Sequence, residues 1–413
     1  MYDSVNTDGQ TIDLGIARQD IEAYLNRAGY WKDAETRERY QYVLSPSAYV
    51  VSKQQQSDLA RMAACIYGAV SGLNERLCEI AGGAGPKDNT EAALLKLANV
   101  ASRGLLRPCD GEARIPPIMK VDLIQNAQGR FSIVEIDAYN PRGLGFVALL
   151  EGGLPASYLQ MRYPGVLGVR NAFGQTCTEL CLIVSEFERF YEAPFRIFKE
   201  AMGAAGLNVR LVREADLANG SSTTENGTRL LCIPDTMDKH PAVRDDLVAR
   251  YRSGKIDSFF PPVAYLGSKA FLPFLRECEG MSEFLPKTIL VGKRFRNQEE
   301  SLGQGAPLVL KAAVSSGLKK VLFSDLDPEV FAETFARVRM QKSASWILQE
   351  QVEQEAVPIV VFDGNGGRET QEHFLRITAY VSAQGIVDVE ITGRPDRKVH
   401  GAPDCIQIPA ILA

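Results

Sequence analysis

Three carboxylates stand close together in the stretch MKVDLIQNAQGRFSIVEIDAYNPRG. Glu135 and Asp137 are two apart in an alternating run, so on a strand their side chains share a face. Asp122 lies in the alternating run just before it, and the turn NAQG predicts a hairpin that brings the third carboxylate alongside. Converging oxygen donors of this kind suit Mg2+, which prefers carboxylates together with the phosphates of a nucleotide. The plainer alternative is a solvent-facing strand edge carrying alternating charge. Val134 and Ile136 as apolar alternates, and the loop PRGLG directly after, favour the metal reading, because glycine lets backbone approach a ligand closely.

A second pattern is PLVLKAAVSSGLKKVLFSD. An apolar strand ends at Lys311, and Ser315, Ser316 and Gly317 form a small-residue turn before the next strand. Backbone N–H groups in such a turn can reach phosphate oxygens, and the lysine adds a point charge. An ordinary hairpin turn with a surface lysine is the alternative. No helix follows the turn, and GxxxxGK[ST] occurs nowhere, so this is not a Walker loop. In a third pattern, SWILQEQVEQ, the strand runs into Gln349, Glu350 and Val352, which could offer backbone groups to a purine edge and a carboxylate to ribose hydroxyls; taken alone it looks like a sheet edge. Arg142, Arg376 and Arg394 sit beside these segments or end late strands. Each could neutralise a transferring phosphoryl group or a substrate carboxylate, or form a surface ion pair.

The elements that must position these residues follow from periodicity. Residues 12–107 read as helical, with Leu59, Met62, Ala63, Ile66, Val70, Leu73 and Leu77 at three- and four-residue steps. The texture changes to short β-rich runs after Pro116-Pro117, and from about residue 178 strands and helices alternate, as in a small parallel α/β unit. From about residue 266 strands dominate, with one helix at 327–342, an α+β pattern. These textures divide the chain into a helical N-terminal region (1–107), a segment carrying the three carboxylates (108–177), a small α/β domain (178–265) and a strand-rich part (266–413), which the family resemblance given below implies are, after the first, a metal-binding segment, a lead-in domain and a nucleotide-binding part.

Composition removes several function classes. With 413 residues the chain is long enough for two or three cores. A net charge of −5 argues against a general nucleic-acid binder. No apolar run is long enough to span a membrane, and MYDSVNTDGQ has no secretion-signal pattern, so a cytoplasmic location is expected. The eight cysteines form no CxxC pair, which leaves buried free thiols rather than zinc. No GxSxG, Cys/His or HExxH arrangement offers a nucleophile or a catalytic zinc.

Taken in order, these segments resemble the ATP-grasp superfamily in its circularly permuted branch, which includes the synthetase domain of glutathionylspermidine synthetase and related peptide-type ligases. VDLIQNAQGRFSIVEIDAYNPRG looks like the metal segment, PPVAYLGSKAFLPFL and FLPKTILV like the lysine-bearing helix and its strand, PLVLKAAVSSGLKKV like the phosphate strand and loop, and WILQEQVE like the adenine hinge. The likeness covers roughly residues 107–410. It departs at Asp137, where the family carries asparagine, giving a more negative site. The resemblance implies Mg2+ held by Asp122, Glu135 and Asp137. It implies ATP phosphates on Lys311, with Lys269 or Lys287 helping, under Ser315, Ser316 and Gly317, and the nucleoside at Gln349, Glu350 and Val352. It further implies an ADP-forming ligase joining a carboxylate to an amine, an amino acid or short peptide among them, through an acyl phosphate. A homodimer stays open. A phosphotransferase using the same nucleotide site, or a non-catalytic nucleotide-binding scaffold, are the rival expectations.

Overall fold

The computed structural model describes all residues except 1–10, 34–37, 40–42, 141, 175, 221–228, 235, 304, 315–319, 364 and 400–404. It is a mixed α+β molecule whose largest sheet is itself mixed. The sheet's path runs Thr11–Asp13, Ser47–Val51, Ile406–Leu412, Gly385–Arg394, Arg368–Ser382, Ile118–Gln125, Phe131–Asp137. The expected hairpin is there: Asp122 pairs with Glu135 and Lys120 with Asp137. Alternation sorts the first hairpin strand cleanly. Met119, Val121 and Leu123 are fully buried, while Lys120, Asp122 and Ile124 point to the opposite face.

Against the apolar face lies the helix Lys53–Glu79. Ser52 caps it with a complete capping box to Gln55, and its stripe Leu59, Met62, Ala63, Ile66, Val70 and Leu77 is buried in the main core. Each of the large side chains here stabilises the fold by roughly 1.5–3 kcal/mol through burial. The expectation of helix throughout 12–107 holds for Arg18–Arg27, Lys53–Glu79 and Asn89–Ala101 but fails at Ser47–Val51. That segment, SAYVV, is buried at every position and pairs parallel to Ile406–Leu412. It is a strand because both its faces are covered, and a β-branched and aromatic run suits that place.

Residues 179–260 form the anticipated parallel unit, in the order Ser258–Phe260, Arg229–Cys232, Glu179–Val184, Asn208–Arg213. A second, fully antiparallel sheet has the order Thr288–Val291, Trp346–Glu350, Leu308–Ala312, Val321–Phe323. Leu310, Leu348, Ile289 and Val291 on one of its faces pack with Phe331 and Val338 of the helix Pro328–Val338. Its other face turns Val309, Lys311, Val321 and Gln349 toward the polar face of the large sheet. No helix among the described residues is long and apolar enough to cross a membrane.

Candidate active site

The cleft between these two sheets is lined by Lys120, Asp122, Glu135, Asp137, Arg142, Lys269, Lys311, Gln349, Glu350, Val352 and Arg376. Its small-sheet wall is built around Lys311, which is 7% exposed. The ammonium donates to Gln349 Oε1 at 2.7 Å and to the Val134 carbonyl oxygen at 3.1 Å. The hairpin register slips next to Asp122, leaving Val134 as an extra residue between the pairs Asp122–Glu135 and Leu123–Ile133. A bulge of this kind re-aims backbone groups, here one that accepts from Lys311. Burial lowers the Lys311 ammonium to about 8, against the opposing pull of Glu135. Lys269 reaches the same place from a short helical turn. Its backbone N–H and the Ser268 hydroxyl both donate to the Ala313 carbonyl, just past Lys311 in the chain, and its ammonium lies 2.8 Å from Glu135 Oε1. Gln349 is fixed in turn by donating to Thr288 Oγ1.

On the large sheet the three carboxylates differ. Asp122 is on an inner strand: Thr378 donates to its Oδ1 at 2.7 Å, Lys120 lies 3.5 Å away and Arg376 4.0 Å. Burial pushes its carboxyl up, and Lys120, Arg376 and Thr378 together hold it below the usual value. Asp137 is on the edge strand. Asn140 Nδ2 donates to both its oxygens, at 2.9 and 2.8 Å, yet burial still raises its carboxyl to about 6 against Lys120 and Arg142. Among the described residues no three His, Cys, Asp or Glu side chains are gathered closely enough to hold a metal ion between them. The expected trio therefore shares a cleft and a sheet face without forming a ready-made three-carboxylate centre, because lysine and arginine side chains already surround Asp122.

Arg142 pairs with Glu188 at 2.5 Å and lines the far end of the cleft, and Arg376 donates to Thr392 at 3.2 Å in its floor. Two expected residues stand elsewhere. Lys287 is exposed ahead of its strand and donates to the Ser301 carbonyl, away from the cleft lining. Arg394 is not in the lining either: it donates to the Lys398 carbonyl and so braces the loop that brings Arg397 and Lys398 to the cleft. Ser315, Ser316 and Gly317 fall outside the described residues. Glu350 accepts from the Gly303 N–H and Val352 lies in the lining.

Sequence reading missed Lys120, Asn140, Glu390 and Gln407. Lys120 was within reach of the alternation that picked out Asp122, since it lies two residues before it. The one sequence signal for Glu390 (DVEIT) and Gln407 (IQIPA) is a polar residue inside an apolar strand. The loop glycine Gly143 has a φ of 99°, and a Cβ there would meet the Tyr380 hydroxyl at 2.5 Å. That hydroxyl donates to Glu390 Oε2 at 2.6 Å, so the glycine lets the PRGLG loop close onto the floor of the cleft.

The sequence matches no protein-family model and no curated protein. Among solved structures, the chain is similar to a glutathione synthetase-like effector from Globodera pallida in its apo form, at 10% identity and TM-score 0.57 over 96% of both chains. It also matches a γ-glutamylcysteine synthetase homologue from Methylobacillus flagellatus (14% identity, TM-score 0.37, 82% of this chain and 86% of that one). A third match is the D-cycloserine synthetase DcsG (16% identity, TM-score 0.29, 51% of this chain and 71% of that one). Only the first is close enough to bear on architecture. Over nearly its whole length, this chain shares its overall fold with that effector.

Proposed function

We propose that the chain is an ATP-grasp ligase that joins a carboxylate to an amine at the expense of ATP, releasing ADP and phosphate. The observation that carries this reading is the facing of two sheets across one cleft, with Lys311 and Lys269 on one wall and Glu135 and Asp137 on the other. The fold likeness to a glutathione synthetase-like effector supports it, as does the order in which the metal hairpin precedes the nucleotide strands, the circularly permuted arrangement.

Lys311 and Lys269 bind the nucleotide phosphates as point charges, while Val309, Val321, Phe323 and Val352 offer apolar contact to the base. Glu135 and Asp137 fit a divalent cation: both are cleft-facing oxygen donors on an edge strand, and the raised Asp137 carboxyl marks buried negative charge that its neighbours only partly compensate. When bound, Mg2+ would screen the phosphate charges there. Asp122 serves instead to hold Lys120 and Arg376. These two cations, with Arg142, orient the substrate carboxylate, an amino acid or short peptide being the class in view. A carboxylate oxygen attacks the γ-phosphorus and the bond to the bridging oxygen of ADP breaks. The amine nitrogen then attacks the carbonyl carbon of the acyl phosphate, the C–O bond to phosphate breaks, the proton lost from nitrogen ends on the departing phosphate, and an amide forms. The protein supplies position and charge, and no side-chain nucleophile is required.

The test is isotopic. A ligase transfers oxygen-18 from the labelled substrate carboxylate into the released phosphate; ADP formation with no label in free phosphate would sink the acyl-phosphate route, and a phosphoryl group retained on the acceptor would leave a phosphotransferase.

A further inference from the structure

The floor of the cleft holds two acceptors outside the nucleotide contacts proposed above. Glu390 and Gln407 are 3% and 1% exposed, and both line the cleft. On the strand Gly385–Arg394, Glu390 shares its face with Thr392, which is the register partner of Gln407 on the next strand. The two side chains are thus diagonal neighbours. Gln407 Nε2 donates to Thr392 Oγ1 at 3.3 Å, and its Oε1 is buried without a hydrogen-bond donor among the described residues. For Glu390 the one hydrogen-bond donor among the described residues is the Tyr380 hydroxyl, on Oε2. A buried acceptor without a donor, as Gln407 Oε1 is, is rare in folded proteins and points to a ligand that brings its own N–H groups, with the Glu390 carboxylate beside it as a second acceptor.

The charge around them narrows the ligand. Lys120 lies opposite Tyr380 in the sheet register, and Arg376 opposite Thr392. Two cations, Lys120 and Arg376, therefore stand among three carboxylates, Asp122, Asp137 and Glu390, and both signs of charge face the floor. A zwitterion can meet both signs at once, whereas a lone cation or a lone anion meets only one.

We propose that this floor is an α-amino-acid subsite. The α-ammonium of the substrate donates to Glu390 Oε1 and Gln407 Oε1, and its carboxylate lies toward Lys120 and Arg376. Resting on the ligase reading, the inference makes the amino acid the acyl donor: its ammonium is recognised and stays protonated, and its carboxylate faces the phosphates.

The test titrates the common amino acids and their N-acetyl derivatives into the full chain by calorimetry, with ADP binding measured on the same preparations. At least one free amino acid should bind, its N-acetyl form about tenfold more weakly or worse, since a charge-assisted contact is lost. Glu390→Gln should weaken that amino acid by about tenfold and change ADP affinity by less than about twofold. Should Glu390→Gln not fold, Gln407→Met carries the same expectation. Equal binding of the acetylated form overturns the subsite. So does an unaffected amino-acid affinity in a folded variant, or the failure of every amino acid to bind a protein that binds ADP. Amino-acid binding that needs the free ammonium in a protein blind to ADP would leave the subsite standing and remove the ligase reading.

Discussion

The proposed contact of Lys311 with the nucleotide phosphates ties binding to pH. Its ammonium is held at about 8 by burial, against an ordinary lysine value of 10.5. A triphosphate placed on it returns the lysine toward or beyond the ordinary value, so binding takes up a proton wherever the free site has lost one. Below pH 8 the lysine is already charged and affinity is level. Above it, affinity falls about tenfold per pH unit, which makes the nucleotide about 25-fold weaker at pH 9.5 than at pH 7.5. The nucleotide adds no titration of its own in this window, because the second phosphate ionisation lies near pH 6. Calorimetry with ADP in two buffers of different ionisation enthalpy should register uptake of about half a proton at pH 8. Lys311→Arg, charged throughout, should bind with little pH dependence, and Lys311→Met weakly at every pH. Level affinity in the wild type from pH 7.5 to 9.5, with no proton uptake, would show that Lys311 does not meet the phosphates. Stability follows the same shift with the opposite benefit. Since the folded value lies below the unfolded one, the charged lysine opposes folding by roughly 3 kcal/mol below pH 8, and the penalty fades as pH rises toward 10.5.

Asp137 has the reverse sign. Its folded value of about 6 exceeds the ordinary 3.8, so the stability it gives when protonated is full below about pH 4 and lost as pH passes 6. In urea melts, Asp137→Asn should gain on the wild type by up to about 3 kcal/mol between pH 4 and pH 7; a constant difference would mean that the carboxylate is not strained by burial. Arg162 and Asp388 form an ion pair with both side chains 2% exposed, at 2.5 Å. Arg162→Met leaves that carboxylate alone in the core and should cost about 3–5 kcal/mol, most of it recovered in the double variant with Asp388→Leu, as read by chemical denaturation. A Cβ at Gly145 would meet the Pro194 carbonyl oxygen at 2.2 Å, where the helix Leu144–Gly152 crosses Glu192–Ala204. Gly145→Ala should therefore lower stability by about 2 kcal/mol; an unchanged urea midpoint would contradict the close crossing.

How far the fold could be read from sequence depended on the distance over which each element finds its partner. The helix Lys53–Glu79 carries its own cap and stripe, so periodicity alone predicts it. The hairpin at 118–137 needs only a neighbouring run and a turn. Ser47–Val51 was hidden because its burial comes from Ile406–Leu412, at the opposite end of the chain, and five residues are too few for either period to show. The same limit governed the lysines. Lys269 and Lys287 flank one strand-and-helix segment, and nothing local distinguishes them. What selects Lys269 is its tether to the Ala313 carbonyl, a contact formed only when the two segments fold together.

The carboxylates show why the kind of residue could be read while its role could not. Alternation told correctly that Glu135, Asp137 and Asp122 would face one way, because a pleated strand leaves no other choice. It could not tell what would stand beside them. Asp122 occupies an inner strand, and the strand on its other side, Arg368–Ser382, delivers Thr378 and Arg376 to its oxygens from far along the chain. Glu135 and Asp137 are on the edge strand, with a neighbour on one side only. From beyond that edge Lys269 meets Glu135, whereas for Asp137 burial outweighs what Lys120, Arg142 and Asn140 supply, and its carboxyl is raised. Position in the sheet, more than residue type, thus separates the carboxylate held between two strands from the pair at the sheet's edge, to which the proposed function assigns the cation.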